Sequence, residues 1–234
     1  MNALTLETLN KLRSLANPSH QEFLKKMVPS QKEVLGIKAP QLRIILTDLK
    51  EATQKLSNRE KIELAVEWVQ TDVHDFGQMA YEFIGFNKTL LAEVTKDDLH
   101  RLNHKLDNWA SVDAFSVYLH GKAWKLGILS DNDLLQLVKS EDVWQRRIAV
   151  VSTIPLNRKV KGQKADPERT FMICDLVLAD YADMVVKALS WALRELSKQE
   201  PQLVRDYIET HREILHKRVL REVNNKLVFG LKNV

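Results

Sequence analysis

The nine residues Ser130-Asp131-Asn132-Asp133-Leu134-Leu135-Gln136-Leu137-Val138 decide the fold class. A serine ahead of an acidic turn offers a side-chain acceptor to the unpaired N–H groups that open a helix. Leu134, Leu135 and Val138 then recur at helical spacing. The same punctuation returns along the chain. Ser57-Asn58-Arg59-Glu60 has capping-box spacing, Thr95 precedes an acidic first turn, and Asp166-Pro167 places a cap before a proline suited to the first helical position. Leu203, Tyr207 and Ile208 repeat the apolar spacing. With only 7 Gly and 6 Pro, there is little turn chemistry for strands and hairpins. These signals predict roughly ten to thirteen helices. Most are short, and short helices joined by brief turns must stack on neighbours to bury their apolar faces. The expectation is an all-α stack of helical repeats forming one domain over residues 1–234. The polar, basic stretch from Leu156 to Ala165 interrupts it without dividing it, because the flanking helices are too apolar to stand apart.

Composition narrows the function classes. The 234 residues are 44% hydrophobic and 28% charged, near the globular average. No apolar run approaches a membrane span, and Met1-Asn2-Ala3-Leu4-Thr5 lacks the basic and apolar regions of a signal peptide. A cytoplasmic protein without membrane partners is expected. The single cysteine, Cys174, lies in the apolar run Phe171-Met172-Ile173-Cys174 and reads as a buried, inert thiol. His74, Asp75 and Glu82 lack a convincing ligand spacing, so no metal site is expected. The net charge of +4 is compatible with a polyanionic partner but does not establish one, so the distribution of charge must carry the argument.

Three helices place residues on unexpected faces when successive positions are set about 100° apart. Between Asn108 and His120, Val112, Phe115 and Leu119 form the apolar stripe, while Trp109, Asp113, Ser116 and His120 align on another. From Asp183 to Lys198, Val185, Leu189, Ala192 and Leu196 make the core stripe, and Trp191 falls among Lys187, Arg194 and Lys198. An indole among cations suits stacking on bases while lysine and arginine meet phosphates. From Val143 to Ile154 the anomaly is reversed: Trp144, Ile148, Val151 and Ile154 enclose Arg147 within the apolar arc. A buried guanidinium needs a carboxylate or a phosphate. Arg146, nearer the edge of that arc, reads as a surface arginine.

Four stretches together resemble the AlkD-like family of alkylpurine DNA glycosylases. They are Leu35-Gly36-Ile37-Lys38-Ala39-Pro40-Gln41-Leu42-Arg43, Leu106-Asp107-Asn108-Trp109-Ala110-Ser111-Val112-Asp113, Trp144-Gln145-Arg146-Arg147-Ile148-Ala149 and Lys187-Ala188-Leu189-Ser190-Trp191-Ala192-Leu193-Arg194-Glu195. The resemblance implies HEAT-like repeats curved into a C-shaped solenoid whose concave, basic face holds duplex DNA. It implies that Trp109 and Trp191 flank the lesion deoxyribose, that Asp113 is the catalytic carboxylate, and that Arg147 binds phosphate, all in one cleft. Arg146, Lys187 and Arg194 join the DNA-binding set. The implied enzyme is a monofunctional, monomeric glycosylase that needs no cofactor and removes purines carrying positive charge from alkylation at N7 or N3. Such a base is already a good leaving group, and a preorganised carboxylate stabilises the oxocarbenium-like sugar that develops.

Two features depart from the family pattern. Its best-known members carry a tyrosine near the N-terminus, whereas the comparable stretch here reads Phe23-Leu24-Lys25-Lys26-Met27-Val28-Pro29. The 157–165 loop is long, and its Arg158, Lys159, Lys161 and Lys164 are placed to meet phosphates. A family relative that binds branched or distorted DNA without excising bases is the alternative; a protein-binding helical scaffold is a third, and it calls for an apolar or acidic inner face instead of a basic aromatic one.

Overall fold

The computed structural model describes residues 1–233. Its contacts divide the chain into two units, Met1–Leu119 and His120–Val234, and the basic loop lies within the second. All regular elements among the described residues are helical; β pairing is limited to a single bridge between Glu33 and Val73.

The first unit holds α1 (Ala3–Ser14), α2 (Pro18–Met27), α3 (Ala39–Ala52), α4 (Asn58–Gln70), α5 (His74–Gly85), α6 (Lys88–Glu93), α7 (Lys96–Leu102) and α8 (Trp109–Phe115). Trp68 is fully buried between Phe76 and Phe83, with ring centroids 5.0 and 5.1 Å apart. Tyr81 meets Phe115 edge-on and ties α5 to α8. Gly36, at φ +74°, lets the chain before α3 pass against α2, where a Cβ would strike the backbone of Gln21 and Asn17. The turn is held by Asp75, whose carboxylate accepts from the N–H groups of Leu35 at 2.8 Å and Ile37 at 3.0 Å.

The second unit holds α9 (Gly121–Lys125), α10 (Asp131–Val138), α11 (Val143–Val151), α12 (Ile154–Asn157), α13 (Pro167–Cys174), α14 (Asp183–Leu196), α15 (Pro201–Thr210) and α16 (Lys217–Phe229). Helix α14 packs against both α11 and α16. Phe171 stacks flat on Tyr207 at 4.3 Å, and buried Trp124 donates its indole N–H to Asp131 at 2.7 Å. Cys174 is buried, and burial pushes its thiol far above the usual range, as expected of an inert thiol.

The caps read from sequence are present. Ser57, Thr95 and Ser130 each form a complete capping box, and Asp166 accepts from Arg169 N–H. The sixteen α-helices among the described residues exceed the ten to thirteen expected because continuous apolar stretches are broken locally. Pro155 cannot donate to the ladder, so the helix through Val143–Ile154 stops at Val151 and restarts as α12. After Phe115 the chain winds as a π-turn over Ser116–His120. No helix among the described residues is long and apolar enough to cross a membrane.

Candidate nucleic-acid interface

The first unit presents Trp109 and Asp113 from α8. Asn108 caps the helix by accepting from Ser111 N–H at 3.0 Å, and its amide donates to Asp107 at 2.8 Å. Asp107 also accepts from Ser30 Oγ at 2.9 Å and from Gln31 N–H at 2.6 Å. Burial pushes the Asp107 carboxyl up, but these hydrogen bonds outweigh it and hold the group below its ordinary range. The start of α8 is thereby tied to the segment after α2. Met27, the last residue of α2, accepts the indole N–H of Trp109 at 2.9 Å. One edge of the ring is pinned while the residue stays 38% exposed. Asp113, one helical turn on, is half-buried. Beneath them Ser111 Oγ meets His74 Nδ1 at 3.2 Å, and burial lowers the His74 pKa.

The stripe expected to continue through Ser116 and His120 does not. The π-turn inserts an extra residue per hydrogen-bonded ring, which rotates everything after Phe115. Ser116 turns inward and donates to Val112 O at 2.7 Å, while His120 is buried with Nδ1 3.0 Å from Ser152 Oγ. Trp109 and Asp113 precede the break and keep their shared face. In α2, Phe23 occupies the stretch that lacks a tyrosine; it is exposed and stacks on His20 with centroids 5.9 Å apart.

The second unit presents the cations. Arg147 is only 5% exposed, as its place in the apolar arc of α11 implies. It donates to the carbonyl of Met184 in α14, and its charge helps hold the Asp183 carboxyl below the usual range, after the larger effect of Lys187. Trp191 is half-buried and lies on α14 with Asp183, Lys187, Ser190 and Arg194, all within an arc of roughly 120° by helical geometry. Lys187 pairs with Asp183 at 2.6 Å, and Arg194 donates to Ser190 Oγ at 3.2 Å.

Arg146 is not the surface arginine that its position suggested. It is bonded to Asp180 at 2.7 Å and to the carbonyls of Ser140 and Glu141 at 2.9 and 2.8 Å, bracing the start of α11. Arg158, Lys159, Lys161 and Lys164 are exposed. Their loop is anchored at its base: Gln163 donates to the carbonyls of Pro155 and Leu156, both at 2.9 Å, and Asn157 accepts from Asp166 N–H at 3.0 Å.

Sequence reasoning missed Asn108, Asp107, Asp183, Ser190, Arg218 and Glu222. The cap spacing Asn108 to Ser111 and the Arg218–Glu222 pair at i, i+4 were signals for two of these groups. Asp183 stands at i, i+4 from Lys187, a signal of the same kind, whereas nothing in one chain's pattern marked Ser190.

The family described as DNA alkylation repair enzyme matches residues 8–227. Among solved structures, the chain is similar to a protein described as a predicted DNA alkylation repair enzyme from Enterococcus faecalis. That match has TM-score 0.69 and 19% identity, and covers 91% of this chain and 96% of the other. It is also similar to smu.31 from Streptococcus mutans UA159, with TM-score 0.48, 18% identity and coverage of 85% and 89%. A third is the alkylpurine DNA glycosylase AlkC of Pseudomonas fluorescens, solved bound to DNA containing an abasic site analogue. Here the TM-score is 0.46 and the identity 15%, over 96% of this chain and 64% of that one. No curated protein matches the chain.

Proposed function

We propose, from the premise that this chain belongs to the DNA alkylation repair enzyme family, that it is a DNA glycosylase acting on cationic N7- or N3-alkylated purines in duplex DNA. The observation that carries the reading is the division of charge between its two tryptophan-bearing faces. Trp109 shares its face with a carboxylate, Asp113, and Trp191 shares its face with Lys187 and Arg194.

The chemistry asks for this division. Breaking the bond between an alkylated purine and deoxyribose leaves a neutral base and builds positive charge on the sugar. The carboxylate of Asp113 stabilises that charge and orients the water that attacks C1′. The indole face of Trp109 attracts the cation by ~0.5–2 kcal/mol. Lys187, Arg194, Arg147 and the cations of the 157–165 loop hold the phosphates. Because the lesion supplies its own leaving-group activation, the reaction calls for neither a metal nor an organic cofactor, and neutral lesions are poor substrates.

Release of N7-methylguanine from methylated duplex DNA tests the reading. The wild-type chain frees the base, and Asp113→Asn lowers the rate by ~10²–10³-fold, the scale of losing one preorganised electrostatic partner. Duplex binding without base release supports instead a non-catalytic relative that recognises branched or distorted DNA, for which the exposed loop cations Arg158, Lys159 and Lys161 speak.

A further inference from the structure

A connected polar network of the second unit lies where α16 packs on the Trp191 helix. Glu222 of α16 is 1% exposed, although a buried carboxylate is costly unless fully paired. One of its oxygens accepts from Ser190 Oγ at 2.6 Å and the other from Arg218 Nε at 2.9 Å. Arg194 Nη2 and Lys232 Nζ stand 4.0 and 3.6 Å away. Burial pushes the Glu222 carboxyl up, but Ser190 and Arg218 outweigh it and keep it below the usual range, so it is a charged anchor. Arg218 is held at a second point, donating through Nη1 to Asp183 at 2.9 Å, and Asp183 in turn holds Lys187.

The result is one connected chain, Arg194–Ser190–Glu222–Arg218–Asp183–Lys187, lying along the arc that carries Trp191. Two carboxylates, Asp183 and Glu222, stand among the four cations Lys187, Arg194, Arg218 and Lys232, so the network keeps a surplus of positive charge. A simple brace between α14 and α16 has no use for that surplus. Arg218 commits Nε and Nη1 to the carboxylates, which fixes the plane of its guanidinium and leaves Nη2 for an outside acceptor; its side chain is 31% exposed.

We propose that Arg218 is a DNA-backbone phosphate contact and that buried Glu222 is the positioning residue that orients Arg218 and Arg194 beside Trp191 to receive it. This rests on the reading above that the Trp191 face meets DNA. The two groups make opposite electrostatic demands, which separates positioning from simple charge. Replacing Glu222 by a neutral isostere removes a negative charge from beneath the face; if charge alone mattered, DNA would bind more tightly.

The test is titration of a labelled, unmodified duplex with the full chain over a range of NaCl, with thermal melts alongside. Arg218→Gln reduces the slope of log affinity against log salt by ~1, the change expected when one phosphate is no longer neutralised. Arg218→Lys retains the slope but binds several-fold more weakly, since the ammonium cannot reproduce the fork. Glu222→Gln binds several-fold more weakly despite the added positive charge. Wild-type slope and affinity in Arg218→Gln overturn the inference, as does tighter binding by Glu222→Gln; if Glu222→Gln does not fold, the Arg218 pair decides alone. Absence of salt-dependent duplex binding by the wild-type chain overturns the underlying reading and this inference with it, whereas binding that ignores Arg218 overturns this inference only.

Discussion

Helices α8 and α14 each carry a tryptophan outside their apolar stripe, yet the two faces are built in opposite ways. On α8 the indole is pinned by one edge to the Met27 carbonyl, and the helix start is tied down by Asn108 and Asp107, with Asp113 one turn away. On α14 the indole lies among cations held by two carboxylates, exposed Asp183 and buried Glu222. On the proposed reading both indoles face the DNA, and the indole itself does not say which group of the DNA it meets. Its neighbours decide that: a carboxylate suits the sugar on which positive charge develops, and held cations suit the phosphates.

The comparison extends to buried histidines, and acid separates the units. In the second, burial lowers the His120 pKa from 6.5 to about 4, despite the opposing charge of Asp133. The folded state therefore resists a proton that the unfolded chain accepts near pH 6.5. The stability is fully present above that pH and is lost as the pH falls towards 4, on the order of 3 kcal/mol in all. In the first unit burial also lowers the His74 pKa, but Asp75 and Asp107 partly offset it. Native-state hydrogen exchange at stepped pH is expected to show α11 of the second unit, which carries Ser152 at its end, losing protection before α5 of the first. His120→Asn should flatten this acid response; an unchanged response removes His120 as its cause.

The loop cations sharpen the phosphate side. Neutralising Arg158, Lys159 and Lys161 together should reduce the salt slope by ~2.7, about 0.9 per contact, which between 50 and 200 mM salt amounts to roughly 40-fold in affinity. The rate of base release at saturating protein should not change. A triple variant with wild-type salt dependence would leave the loop as a solvated connection.

A smaller effect is expected on the carboxylate side. Trp109→Ala removes a cation–π partner worth ~0.5–2 kcal/mol and should slow single-turnover base release by up to about tenfold. Trp109→Phe retains a ring face without the N–H that reaches Met27, so it should fall between the two. Equal rates for all three chains would detach Trp109 from the chemistry.

Local physics made much of this molecule legible in its sequence. The caps at Ser57, Thr95, Ser130 and Asp166 depend only on residues within one turn, and all four are present. Burial of Arg147 followed from its place in the apolar arc of its helix. The π-turn at Ser116–His120 was not legible, because it depends on packing: α5 approaches so closely that a Cβ on Gly85 would lie 2.5 Å from the Tyr118 carbonyl oxygen. Arg146 was misread for a similar reason. Its partner Asp180 lies 34 positions away, at a separation no helical period encodes. Glu222 sits at the edge of the α16 apolar face, and only its packing on Ser190 reveals it as a buried anchor.

The division of labour between the two tryptophan faces is tested most directly by measuring, on one N7-methylguanine duplex, both affinity and single-turnover base release for Asp113→Asn and Trp191→Ala. The account predicts that Asp113→Asn binds as the wild type does but releases base ~10²–10³-fold more slowly. Trp191→Ala should bind more weakly by ~1–3 kcal/mol, with little change in rate once saturated. Base release by Asp113→Asn at the wild-type rate would contradict it.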